Sequence, residues 1–320
     1  MNNVHVFHHN DTDGKAAGYI VYKYTSNPKI AIPRENIHFH SINYGMDFPF
    51  GKIDKGDVVI IVDYSIAPNE MVKLMDITKN VIWIDHHITA IKKYEKDYIN
   101  KGETIPGIRH VGKCGALLTW YYFIIHDNSD ISKYDGDVTK CFRYSCEGTA
   151  KRVDIPKGKI PEWLALVNDH DLWKLELLPN TDYFQTYMCS ETHNPTSLLW
   201  YDIDHSLAKL HRVIKEGHQM VTFRNGLYQE QRKEIGFYAE LEGYRCFCVN
   251  SPLANHHMFD RMDDIGDIQI LFSYDGETWR WSLYSDTVDV SEIAAKFGGG
   301  GHKGASGCRT NKFILKKLDE

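Results

Sequence analysis
In "VHVFHHNDTDG", Val4 to Gly14, an apolar run gives way to His8, His9, Asp11 and Asp13. Asn, Asp and Gly suit a turn after a strand. A turn has no need, however, of carboxylates at alternating positions beside imidazoles. The run His9-x-Asp11-x-Asp13-Gly14 can aim several oxygen and imidazole donors at one point, which is the chemistry of a divalent cation. Two more apolar runs end in the same way, "DVVIIVDYS" in Asp63 and "NVIWIDHH" in Asp85, His86 and His87. Each has a plain account on its own, since Asp caps helices and paired histidines occur on polar surface. Together they are the donor set of a metal centre, provided the fold brings the three ends to one place.

The intervening segments supply such a fold. "GKAAGYIVYKYT" and "PNEMVKLMDITKN" read as helices and "IHFHSI" as a further strand, and "GIRHV" followed by the apolar helix "GALLTWYYFII" extends the alternation. Short, nearly continuous apolar strands separated by helices predict an α/β domain whose parallel sheet is covered by helices on both faces. Ligands of an open sheet of this kind bind outside the carboxyl ends of its strands. The three polar ends therefore share one rim.

With Asp85-His86-His87 as its namesake triplet, the chain resembles the DHH phosphoesterase superfamily. The resemblance extends to His9-x-Asp11-x-Asp13-Gly14, to the strand-end Asp63, to "VNDHDLW" and to "FGGGGHKGASG", Phe297 to Gly307, which is similar to the signature of the DHH-associated substrate domain. It implies that His9, Asp11 and Asp63 hold one ion and that Asp13, Asp63, His86 and Asp169 hold a second, with Asp63 bridging. It also implies that Asp85 orients a histidine and that His87 contacts the scissile phosphate or assists the leaving oxygen. Donors without thiolates suit Mn²⁺, with Mg²⁺, Co²⁺ or Zn²⁺ as substitutes. Asp171 competes with Asp169 in "NDHDLW"; the resemblance favours Asp169, since the family pattern places an aromatic about four residues after the ligand, where Trp173 stands. His8 should point away from the site if its strand continues. Cys114 in "GKCGALL" stands near a point where relatives carry Ser or Thr, and Arg109 and His110 are candidates for reaching substrate.

The second half has a different texture. "DHSLAKLHRVIKEGHQMVTFRNGLYQEQRKEI" spaces Leu207, Leu210, Ile214 and Val221 as an amphipathic helix would. "RCFCVN", "DIQILFSY" and "TWRWSLYS" alternate as strands around an Asp275-Gly276 turn, and "VSEIAAKF" reads as a helix. The resulting division is a metal-binding domain over 1–190, a helical connector over 191–238 and a smaller mixed-sheet α/β substrate domain over 239–320. Four consecutive glycines cost backbone entropy and pack no side chains, as a flexible linker also would; the resemblance implies instead that Gly299, Gly300 and Gly301, with His302, Lys303 and Ser306, bind substrate through exposed N–H groups and charge. The long polar segment 126–162 reads as an insertion, lid or contact surface.

Bulk properties set the outer limits. The chain has 320 residues and a net charge of -6, which argues against a coat for long nucleic acid. No apolar run approaches the roughly 18 residues of a membrane span, and the start lacks a signal pattern. Seven scattered cysteines do not look like a disulfide framework, and Cys246 and Cys248 read as packing residues of one strand rather than zinc ligands. The expectation is a cytoplasmic, Mn-dependent phosphodiesterase acting on short RNA, with a homodimer kept open as its assembly. Runner-up activities are hydrolysis of cyclic (di)nucleotides or of 3'-phosphoadenosine 5'-phosphate, and the alternative of another class is an inactive nucleotide-binding or scaffold protein.

Overall fold
The computed structural model describes residues 2–26, 32–97, 105–125, 160–190, 193–260 and 262–318. Nearly all of the 126–162 segment lies outside the described residues. The chain forms two compact units, Met1–His218 and Gln219–Glu320.

In the first unit, strands β1 (Val4–His9), β2 (Ile37–Ile42), β3 (Val58–Val62) and β4 (Asn80–Ile84) form a parallel sheet in the order β2-β1-β3-β4. Their side chains alternate between two apolar layers. Val4, Val6, Val58, Ile60, Val62, Ile82 and Ile84 pack on one side, and Phe7, Val59, Ile61, Val81 and Trp83 on the other. A sheet covered on both faces accounts for the unbroken apolar runs. The first layer is completed by α1 (Thr12–Thr25), α4 (Gly115–Trp120), α5 (Glu162–Asp171), α6 (Asn180–Ser190) and α7 (Leu198–His205), and the second by α2 (Pro68–Ile77) and α3 (Ile88–Asp97). "GIRHV" runs alongside β4 without becoming a full strand: Asp85 and Arg109 form an isolated parallel bridge, and Asp85 N–H donates to Ile108 O at 3.0 Å.

Helix α8 (Leu207–Ile235) spans the division between the units. Leu210, Val213 and Val221 are buried, whereas Leu207, counted in the apolar stripe, is exposed at the helix start. The second unit is a seven-stranded mixed sheet made of β5 (Phe237–Leu241), β6 (Tyr244–Asn250), β7 (Ile268–Tyr274), β8 (Trp279–Tyr284), β9 (Gly300–His302), β10 (Ala305–Thr310) and β11 (Lys316–Lys317). Its order is β11-β5-β6-β7-β8-β10-β9. Helix α9 (Val290–Lys296) packs on one face of this sheet, and Cys246 and Cys248 are buried in the same core. No helix among the described residues is long and apolar enough to cross a membrane.

A buried carboxylate ties the helical layer together. Asp204 of α7 accepts hydrogen bonds from Tyr19 Oη at 2.9 Å, Lys23 Nζ at 2.6 Å and Trp163 Nε1 at 3.0 Å, joining α1 and α5 to α7. Burial alone would raise its pKa, but the bonds from Lys23 and Trp163 outweigh that and hold it below the usual carboxylate range. The stabilisation is therefore complete above the unfolded pKa of about 3.9 and is lost as pH falls through the lower folded value. Asp204→Ala should cost about 2 kcal/mol near neutral pH, measured as a shift in urea midpoint. The gap from the parent protein should narrow at pH 3 and below.

Candidate metal centre
The carboxyl ends of β1, β3 and β4 meet the start of α4 and the end of α5. His9 Nδ1 lies 2.6 Å from Asp11 Oδ2, and Asp11 Oδ1 caps α1 by accepting from Gly14 N–H at 2.8 Å. Gly14 is required here because a Cβ would stand 2.3 Å from the His9 carbonyl oxygen. Asp13, buried in the first turn of α1, accepts from Gly115 N–H at 2.6 Å and Ala116 N–H at 2.8 Å, so it holds the N-terminus of α4 against the rim. His8 points the other way, its Nδ1 2.8 Å from the His9 carbonyl oxygen and its ring near Gly18 of α1.

Asp63 occupies the centre. Its φ of +52° is an uncommon conformation for a side chain other than glycine, and such strain concentrates where function demands a placement. It is 1% exposed, and neither carboxylate oxygen has a hydrogen-bond partner. His86 Nε2 lies 3.2 Å from Asp63 Oδ1, 3.5 Å from Asp171 Oδ2 and 3.9 Å from Asp13 Oδ2. The Asp63 contact is close but not aligned as a hydrogen bond. A β-carbon on Gly115 would lie 2.5 Å from Asp63 Cβ, so the glycine opens the space that the central carboxylate fills.

Three groups of donor atoms lie within 4.8 Å of one another: His9, Asp11 and Asp63; Asp13, His86 and Asp171; and Asp63, Asp85, His86 and His87. Buried polar atoms are ordinarily paired, so the orphaned oxygens of Asp63 and Asp171 Oδ2 are the mark of a site built around a cation. Electrostatics agree. Burial and the neighbouring Asp13 and Asp11 raise the Asp63 carboxyl well above its ordinary range, and the same causes push Asp171 up to about 9. The cluster cannot keep all its carboxylates ionised without a compensating positive charge. Oxygen and imidazole donors fit a hard or borderline divalent ion.

The expectation that Asp169 faces this cluster is corrected. Its carboxylate accepts from Glu176 N–H at 2.9 Å, Leu177 N–H at 3.1 Å and Thr181 Oγ1 at 2.5 Å, fixing the loop after α5. Asp171 takes the place at the rim. Two residues apart on a helix means about 200° of rotation, so only one of the pair can face the ions. Arg109 is also corrected as a substrate contact: it is buried, and its Nη1 donates to the carbonyl oxygens of Trp83 at 3.0 Å and Ile105 at 2.8 Å. Asp85 and His87 do form a pair, with His87 Nδ1 2.7 Å from Asp85 Oδ1. Asp85 also accepts from His86 N–H at 2.8 Å and from the hydroxyl of Ser65. Ser65 and Gly115 were not singled out in the sequence, although Ser65 stands only two residues beyond Asp63.

Residues 3–139 match the DHH family, N-terminal domain. That stretch is a DHH-family domain. The uncharacterized protein R106 of Acanthamoeba polyphaga mimivirus is 24% identical over 279 residues, which is 83% of this chain and 55% of that protein, so the chain spans about half the length of this relative. The DHH domain of a member of a ribosomal-protein family has a TM-score of 0.54 at 14% identity, over 99% of this chain and 83% of that one. It shares the fold. The pGpG-specific phosphodiesterase PggH of Vibrio cholerae has a TM-score of 0.49 at 13% identity, over 97% of this chain and 94% of that one.

The glycine run lies in the second unit, and it carries more structural constraint than its composition suggested. Gly298 and Gly301 have φ of +75° and +146°. A Cβ on Gly299 would stand 2.1 Å from the Gly307 carbonyl oxygen. Gly300–His302 pairs with β10 as a short hairpin, and Ser306 Oγ donates to His302 O at 2.7 Å, which commits that hydroxyl to the hairpin. His302 and Lys303 are exposed.

The two aspartates of α5 give a direct test. Asp171→Asn should reduce bound Mn²⁺ and shrink the rise in thermal midpoint that Mn²⁺ produces, as mass action requires of a weakened site. Asp169→Asn should keep the Mn²⁺ response and lower stability by about 1–3 kcal/mol. The reverse pattern, read by calorimetry and metal titration, would restore Asp169 as the ligand. Gly115→Ala should also lose the Mn²⁺ response, because it displaces Asp63.

Proposed function
We propose that the protein is a phosphodiesterase that hydrolyses short oligoribonucleotides to mononucleotides at a two-ion centre. The observation that carries this reading is Asp63: its two buried, unpartnered oxygens lie among His9 and Asp11 on one side and His86 and His87 on the other. His9, Asp11 and Asp63 would hold one ion, and Asp13, Asp63, His86 and Asp171 the other, with Mn²⁺ the ion that this donor set suits. Bound divalent ions supply an activated water and neutralise charge on the phosphoryl oxygens.

The chain's own residues contribute position and a proton. The Asp85–His87 pair commits Nδ1 of the imidazole, which leaves Nε2 to face substrate. Burial lowers the pKa of His87, but the bond to Asp85 and its charge outweigh that and raise it overall. His87 is thus suited to donate to the leaving oxygen. Asp85, fully buried, is held ionised: burial opposes this, and the bonds from His87 and Ser65 prevail. We assign recognition in the second unit to His302 and Lys303. Their exposure supports this, and so does the edge hairpin that carries them.

The net charge of -6 supports a preference for short substrates, since a long backbone is attracted chiefly by displaced counterions. Initial rates across an RNA length series, at fixed Mn²⁺ and salt, should fall steeply beyond roughly five nucleotides. Equal or faster cleavage of long single strands would replace this reading with that of an exonuclease. Turnover confined to a cyclic dinucleotide, 3'-phosphoadenosine 5'-phosphate or pyrophosphate would replace the substrate class. Asp63→Asn should abolish turnover on whichever substrate is active.

A further inference from the structure
Between β2 and the buried Phe48, residues 43–47 are all exposed, and Tyr44 sits among them. It is 52% exposed, yet its ring is not solitary. Ring centroids place it 4.9 Å from Tyr64, 5.7 Å from His9 and 5.8 Å from His87, the last in a T-shaped arrangement. Tyr64, buried at the end of β3, lies beneath it and also stands 6.4 Å from His9. The anchors on either side are firm. Ile42 is buried, and Phe48 packs 4.5 Å from Phe7 of β1. Gly45, with φ of +89° and open space around its α-carbon, turns the chain just beyond the ring.

A large aromatic left half exposed to water in a loop forgoes the burial that ordinarily favours such a side chain. Here it packs against a buried aromatic at a tilt of 34° and lies in ring contact with both a candidate metal ligand and the histidine assigned to the phosphate. The distance scale matters. A base is joined to its phosphate through one sugar, so a platform within a ring's width of His87 is where a base flanking the scissile phosphate would fall. We infer that Tyr44, backed by Tyr64, is the stacking floor of a nucleobase subsite beside the metal centre. The inference rests on the phosphodiesterase reading for its substrate, and it adds a base-binding element within the first unit. Stacking uses the π-face that every base possesses, so the subsite is tolerant of base identity.

Binding of a product to the Mn²⁺-loaded full chain tests the subsite without turnover. Adenosine 5'-monophosphate and ribose 5-phosphate share the phosphate and sugar and differ by the base. The parent protein should bind the nucleotide more tightly, roughly ten-fold or more, as stacking on one aromatic allows. Tyr44→Ala should erase that difference by weakening only the nucleotide, and Tyr44→Phe should keep it. An equal preference in Tyr44→Ala, or an equal loss in Tyr44→Phe, would overturn the inference, the second outcome assigning the role to the hydroxyl. A parent protein that binds both ligands alike would overturn it too. Tyr44-dependent binding of the nucleotide with no turnover of any RNA would sustain the subsite and reject the oligoribonuclease reading, so the two fail separately. Both variants should remain folded, with at most a small fall in thermal midpoint for Tyr44→Ala from the lost contact with Tyr64.

Discussion
The first unit is organised around the requirement that several carboxylates stay ionised while buried at one point. Like charges in low dielectric repel one another strongly, and here burial and mutual repulsion raise both Asp63 and Asp171. Without a counter-charge some of them would stay protonated, and a cation that all of them face would let them ionise together. The surrounding backbone is arranged to present them to it: Asp63 adopts a strained φ, Gly115 leaves space for its side chain, and Asp13 is fixed from both sides by the N–H groups of α4. A helix N-terminus is a favourable neighbour for negative charge, so α4 lowers the cost of placing Asp13 where the ions would be.

Two of the acidic groups do structural and chemical duty together. Asp11 caps α1 through one oxygen while the other meets His9, and Asp13 secures α4 while lying within reach of His86. This economy explains why the capping account and the metal account both fitted the opening motif. They are not rivals, because a carboxylate has more lone-pair sites than one cap uses. Asp85 shows the contrasting case: with Ser65, His86 N–H and His87 all bonded to it, its acceptor capacity is occupied by protein groups, which suits a residue that orients a histidine.

Much of the first unit was legible because its signals were local. Apolar runs of strand length gave β1, β3 and β4, and the polar residue types at their ends marked the rim. What escaped was whatever depends on packing between segments distant in sequence. Gly115 is one glycine among 24, and only its approach to Asp63, more than fifty positions earlier, shows why it must lack a side chain. Arg109 stands in the sequence as a candidate for reaching substrate. Its guanidinium instead bonds to carbonyl oxygens at Trp83 and Ile105, where the chain runs beside β4 without completing a strand ladder. The glycine run was judged by composition, whereas the hairpin geometry of β9 and β10 constrains it position by position.

The choice between Asp169 and Asp171 shows where a sequence rule of spacing must yield to helical geometry. Counting to Trp173 favoured Asp169, but Trp173 lies past the end of α5 at φ of +54°, so its position along the chain says nothing about which helix face the acid occupies. The periodicity of α5 does. Leu164 and Val167 are buried in the layer against the sheet, and Asn168 Oδ1 accepts from Cys114 N–H at 3.1 Å, directing that face to the start of α4. Residues at i, i+3, i+4 and i+7 share one side of a helix, and starting from Leu164 that series passes through Val167 and Asn168 to Asp171. Asp169 falls off the stripe, and its carboxylate instead closes the loop that follows, bonding Glu176, Leu177 and Thr181. One acid completes the charge cluster and the other fixes the loop after the helix that delivers it, and they differ only in which way a single turn of helix points them.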